Sequence, residues 1–175
     1  MMRNHLIRPL ARTGVATGAL ALVILLAGTA WAGTSVLTNR DGIAIGGYDP
    51  LAYFEGAPAL GSADYTHEWN GAIWQFASAE HRDAFAADPE AYAPQYHGWC
   101  AYGASEGYAA ESDPLNAWTV REDKLYLNWD AEVMKEWRAD IPGRVAKANG
   151  HWPTIKASVE AEDGQVTIYR KDEEQ

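Results

Sequence analysis

The chain has 175 residues, with 24 acidic and 14 basic side chains and a formal net charge of -10. Hydrophobic residues make up 47% and charged residues 22%, the balance of a chain that folds around a small core, which excludes a disordered polymer. An acidic surface lacks the clustered Lys and Arg that phosphate contacts need, so no nucleic-acid partner is expected, and a single Cys rules out an intramolecular disulfide and a Cys-rich zinc site.

Arg3, Arg8 and Arg12 lead into a small, apolar run from Gly14 to Ala30 that closes with the small-x-small triplet Ala30-Trp31-Ala32. Basic, apolar, then Ala-x-Ala is the order of a secretory signal peptide, here residues 1–32 with cleavage after Ala32. A kept single-pass anchor is the alternative, because the apolar stretch is near the shortest length that spans a bilayer. Cleavage would make the protein periplasmic or secreted, with no stable membrane association afterwards. An exported protein usually holds paired cysteines or none. A lone Cys100 is therefore either buried and inert or chemically employed.

Next comes a short polar leader, then Ile43-Ala44-Ile45 as a brief strand ended by Gly46-Gly47. Asp49 is placed to cap a short helical turn that opens on Pro50 and carries Leu51, Tyr53 and Phe54. Tyr65–Trp69 and Ala72–Phe76 flank Asn70-Gly71, the preferred pair for a tight hairpin, with Trp74 and Phe76 on one face. Ser78 is expected to cap a helix to about Ala87 with Phe85 inward, stopped by Asp88-Pro89, and a short helix comes next over Glu90–Ala93. From Gln95 to Tyr108 aromatic and small residues alternate with no charge before Glu106, so that run is expected to be largely buried. Trp118–Val120 and Leu125–Leu127 predict a second hairpin. Asp130 caps a helix with Val133, Met134 and Trp137 on its apolar face, and Asp140-Ile141-Pro142-Gly143 starts another that is expected to end near Gly150. Thr154 to Gln175 reads as a charged tail with one strand over Val166–Tyr169. The fold class these elements predict is α+β, one small domain of short antiparallel hairpins packed with helices, from about 36 to 152.

Three segments carry a family resemblance: Gly46 to Phe54 around the Asp49-Pro50 turn, Trp69 to Ser78 across the hairpin, and Phe85 to Tyr92 with its Asp88-Pro89. Together they resemble the YHS domain family over about residues 41–95. Residues 95–152, with Tyr96-x-Gly98-x-Cys100-Ala101 and Ile141-Pro142-Gly143, resemble the extension of the exported, stand-alone members. Some of those members carry selenocysteine where this chain has Cys100, and that resemblance implies a sulfur selected for ionisation and nucleophilicity. YHS domains that accompany copper-transporting ATPases and some oxygenases are thought to bind metal through cysteines. At the matching places this chain has Ala52, Ala77 and His81, so the soft-ligand set departs from that pattern.

The candidate chemistry centres on Cys100. As a thiolate it is a nucleophile or a soft ligand for copper; as a small buried side chain it is packing. His97 lies three residues earlier and would share a helical face with it, and His81 is the remaining metal candidate. Tyr96, Trp99 and Tyr102 are the expected pocket residues around the thiol. The leading reading is a non-enzymatic module that binds a soft metal such as copper, or acts in thiol redox, through one cysteine. One Cys and one His leave a metal shell incomplete, so a metal donor or acceptor protein would complete it. The alternatives are a one-cysteine peroxidase or reductase-like enzyme recycled by an external thiol, and a structural or small-ligand-binding module whose thiol is inert. No nucleotide-binding or hydrolase motif is present in the sequence.

Overall fold

Asn70 (φ 51°) and Gly71 (φ 74°) both occupy the left-handed region, as the two central residues of a type I′ turn must. In this computed structural model, which describes residues 33–162 and 164–171, they join β1 (Ser62–Trp69) to β2 (Ala72–Phe76) with Trp69 opposite Ala72. The signal segment expected over residues 1–32 lies outside the described residues. Along β2 the alternation holds: Ala72, Trp74 and Phe76 are buried, while Ile73 and Gln75 are half-buried.

Ser78 accepts the His81 N–H and starts α1 (Ala79–Ala87), whose Phe85 is fully buried against Trp74 and Phe76. Asp88 and Pro89 end α1 and open the short α2 (Pro89–Tyr92). The buried carboxylate of Asp49 accepts the N–H groups of Leu51 and Ala77, at 2.9 and 2.8 Å, and so ties the helical turn Ala52–Glu55 to the start of α1. The strand expected at Ile43–Ile45 is reduced to single bridges, Thr38 with Ala44 and Ile43 with Ile73, followed by a 3-10 turn.

The second half begins with a 3-10 turn, Gln95–Gly98, and α3 (Ala101–Glu106). It continues through β3 (Ala109–Ala110), β4 (Trp118–Arg121) and β5 (Lys124–Leu127), then α4 (Ala131–Arg138) under its Asp130 cap. On α4 only Trp137 is fully buried; Val133 and Met134 are half-buried. The next helix, α5 (Ile141–Ala161), does not stop near Gly150 and passes through Pro153. An interior proline costs about 3 kcal/mol, but each fully buried aliphatic side chain returns about 1.5–3 kcal/mol. Ala148, Ile155 and Val159 lie buried along one stripe of α5, in the same cluster as Ala101 and Ala104 of α3. That burial outweighs the break, so the domain boundary expected near 152 falls inside a helix. The strand expected at Val166–Tyr169 is the shorter β6 (Ile168–Tyr169), which pairs in parallel with β3.

The protein is α+β, with short hairpins and helices around two apolar clusters. β5 divides them. Leu125 and Leu127 belong to the first cluster with Trp74, Phe76 and Phe85; Tyr126, pointing the opposite way on the pleat, belongs to the second with Trp99 and Trp137. No described helix is long and apolar enough to cross a membrane.

Candidate functional site

Cys100 stands at the N-cap of α3, between Trp99 and Ala101 of the second cluster, and is 1% exposed. Its own N–H donates to Ala110 at 2.8 Å, which fixes the backbone. The sulfur accepts the N–H groups of Gly103 at 3.4 Å and Trp129 at 3.3 Å, and its S–H points to Asn128 Oδ1 at 3.8 Å. Burial pushes the thiol pKa up; the backbone N–H groups and the Lys171 charge oppose that push without reversing it. The resting thiol is therefore protonated at neutral pH.

Cys100 lines a pocket of about 230 Å³ together with Tyr108, Ala110, Trp129, Val133 and Tyr169. The C-terminal strand forms one side of it. Arg170 and the Lys171 N–H hold Glu111 at 3.2 and 3.0 Å. The Lys171 ammonium donates to the Trp129 carbonyl at 2.5 Å and lies 5.1 Å from the centre of its ring. Asn128 is fully buried beneath, with Oδ1 accepting the Tyr102 N–H at 3.1 Å. Its Nδ2 has no hydrogen-bond partner among the described residues, an unusual condition for a buried amide.

His97 does not join Cys100. Helical spacing would have put the two on one face, but Tyr96 (φ 55°) and His97 (φ 53°) are left-handed, and Gly98 comes next at φ 90°. Gly98 is required there twice over: by its φ, and because a Cβ would lie 2.6 Å from Ile45 Cγ2. The imidazole instead sets Nδ1 2.7 Å from Ser35 Oγ and 3.3 Å from Asn70 Nδ2. Burial pushes its pKa down to about 4.

His81 is elsewhere again. Its Nδ1 lies 2.6 Å from Asp49 Oδ2 and its Nε2 3.2 Å from Glu55 Oε1. Burial works against the imidazolium, but the hydrogen bonds and charges of Asp49 and Glu55 prevail, and its pKa is raised. It acts as a bridge between the turn at Asp49 and α1.

The metal set of Cys100, His97 and His81 is thus distributed over three environments. Among the described residues no group of three or more His, Cys, Asp and Glu stands where it could hold a metal ion. As a ligand set these residues do not fit a copper site: among the described residues Cys100 is the one thiol, and neither His97 nor His81 stands beside it.

The expected pocket residues also disperse. Tyr96 donates to Asn149 Oδ1 at 3.1 Å and faces a different cleft, and the Trp99 indole N–H donates to the Ser35 carbonyl at 2.9 Å. Tyr102 carries the Arg144 guanidinium 4.2 Å above its ring. None of the three walls the thiol pocket. Trp129 and Tyr169 do so, and sequence reasoning missed both because they approach Cys100 from 29 and 69 positions away, Tyr169 through the pairing of β6 with β3 and Trp129 from the segment after β5. Asn128 left one legible signal: a polar residue directly after Leu125-Tyr126-Leu127, where the buried strand pattern should have ended.

Fold and site together define a small α+β protein with one pocketed thiol. No protein-family model, curated protein or solved structure matches the chain.

Proposed function

We propose that the protein is a non-enzymatic thiol module in which Cys100 meets small solutes through the pocket and is reversibly oxidised. The observation that carries this reading is Cys100 itself: the residue lines a pocket of about 230 Å³ while its sulfur accepts two backbone N–H groups. Such donors favour the anionic sulfur and the oxygen of its oxidised form. The raised thiol pKa keeps the thiolate scarce at neutral pH, so the exchange described next is slow and acts on Cys100 itself, whereas a one-cysteine peroxidase turns over rapidly through a standing thiolate.

The step is a two-electron exchange with a peroxide. Cys100 releases its proton to water and the thiolate sulfur attacks one peroxide oxygen. The O–O bond breaks, and the second oxygen leaves as hydroxide and takes a proton to become water. Sulfur is oxidised to the sulfenic acid and the peroxide is reduced. An external thiol then forms a mixed disulfide with Cys100, releasing water, and a second thiol attacks the external sulfur, so that the two leave as their own disulfide and Cys100 regains its proton as the free thiol. Export to an oxidising compartment belongs to the same reading, as does the resemblance to exported YHS proteins.

Copper carriage is the second reading, favoured by the soft sulfur of a pocket-lining residue; it requires a partner protein to supply the remaining donors. One experiment separates the readings. The reduced full chain is treated with hydrogen peroxide and a sulfenate-trapping diketone and weighed by intact mass spectrometry, with Cys100→Ser beside it. In parallel, the chain and Cys100→Ala are titrated with Cu(I) against a chromophoric competitor. A trapped adduct confined to Cys100 supports the redox module. Copper affinity lost in Cys100→Ala, without an adduct, replaces it with the carrier. Neither signal leaves Cys100 as packing and overturns both.

A further inference from the structure

A cleft of about 600 Å³ lies around His97, on the far side of the turn from Cys100. We infer that it is a separate binding site for a neutral sugar ring, held against the indoles of Trp69 and Trp152 where they line the cleft and hydrogen-bonded by His97, Asn70 and Asn149. This inference does not rest on the thiol reading.

The walls come first. The His97 ring lies 6.3 Å from Trp69 and 5.2 Å from Trp152, centre to centre, edge-on to both at 71° and 79°. Tyr96 contacts Trp152 in the same manner at 5.7 Å. Trp69 also packs on Trp74 and Phe85, and both Trp69 and Trp152 stay half-buried and line the cleft, so part of each is available to a ligand. An indole face is a suitable platform for the C–H face of a pyranose, which is apolar although its rim is polar.

The polar groups come second, and their protonation is fixed by their partners. Asn70 Nδ2 can only donate, so His97 Nδ1 accepts and the hydrogen sits on Nε2. That Nε2–H has no partner among the described residues. Asn149 gives its Oδ1 to the Tyr96 hydroxyl, and its Nδ2 donors remain, on an exposed turn of α5. Asn70 commits its amide nitrogen to His97, and its Oδ1 remains as an acceptor. Two donors and one acceptor, held beside an apolar platform, are what vicinal hydroxyls need.

Charge decides the class. Lys156, the one Lys or Arg lining the cleft among the described residues, lies 3.8 Å from Glu160, and Glu90 also lines the cleft. Burial keeps His97 neutral above its pKa of about 4. An anion therefore meets one ammonium, shared with Glu160, and the opposing carboxylate of Glu90. A cation would find the rings and Glu90, but would face the N–H groups of His97 and Asn149. A neutral, hydroxylated ring suits all of them.

The site is also pre-organised. Tyr96 and His97, both left-handed, line it, Gly98 continues the same turn, and the Leu37 N–H fixes the His97 carbonyl at 3.0 Å. Backbone held in this sparsely populated region is found where the surroundings determine a functional shape.

The test is a titration of the full chain with cellotetraose and with chitotetraose, read by tryptophan fluorescence and by amide NMR shifts, with choline as the cationic probe. A saturable change of about millimolar affinity with one of the saccharides is expected. Trp152→Ala and Asn149→Ala each weaken it about tenfold. Asn149 is exposed, so that variant keeps its fold, and unchanged circular dichroism verifies it. No saturable change with either saccharide up to about 20 mM overturns the proposal. So does binding of choline alone, or saccharide binding that both variants leave unaltered.

Discussion

The two clusters divided by β5 are built to different standards of completion. The first, around Trp74, Phe76 and Phe85, is all apolar on the inside, and the buried charge beside it, Asp49, accepts hydrogen bonds from Leu51, Ala77 and His81. The second, around Tyr96, Trp99 and Trp137, holds Trp137, whose Nε1 lacks a partner among the described residues, and beside Cys100 the buried Asn128 Nδ2 lacks one too. The thiol belongs to this half, and so do Tyr96 and His97, which line the sugar cleft. A satisfied core stabilises and does nothing else. Polar groups left unpaired in the interior lower stability, and a fold keeps them where they meet something beyond itself.

The largest effect that would break this contrast is in the first cluster. Phe85→Ala is expected to destabilise the protein by about 3–5 kcal/mol in urea denaturation, because the rings of Trp74 and Phe76 cannot close over the gap. Sulfenate trapping at Cys100 should be unchanged in the fraction that remains folded. In the second cluster, Asn128→Ala leaves the Tyr102 N–H without its acceptor and should cost about 1–3 kcal/mol by the same measurement. It should also alter the trapping rate at Cys100, since Asn128 Oδ1 is the group that the S–H faces. A loss of stability with the rate unchanged would make Asn128 a structural residue only.

The histidines give the smallest effect and the finest comparison. His81 has a raised folded pKa, so its contribution is complete below its unfolded value of about 6.5 and is lost as pH rises through the folded pKa. His97 has a folded pKa lowered to about 4, so the unfolded chain takes up its proton first and stability falls as pH drops from about 6.5 toward 4. Melting midpoints across pH should therefore lose their alkaline slope in His81→Gln and part of their acid slope in His97→Gln. Identical slopes in both variants and the parent would contradict the two environments.

The same division governs how much of the fold is legible in the sequence. Local signals define the first half: Asn70-Gly71 can make one turn, Ser78 and Asp88 cap α1 and α2, and alternation places Trp74 and Phe76 inward. The second half depends on distant partners. Pro153 and Gly150 are local stop signals that the burial of Ile155 and Val159 overrides, and the left-handed pair at Tyr96 and His97 has no local signature. Hence Cys100 is legible as a candidate, whereas its neighbours Trp129 and Tyr169 are not, and helical spacing assigns His97 to the wrong site.

The central claim is that Cys100 is reachable in the folded state despite its burial. The most direct measurement is the rate of sulfenate trapping by hydrogen peroxide in the native full chain against the chain unfolded in urea. A reachable, protonated thiol predicts a native rate that is measurable, slower than in the unfolded chain and rising with pH up to the raised thiol pKa. A native chain that reacts only as fast as it unfolds would contradict the account and return Cys100 to the core.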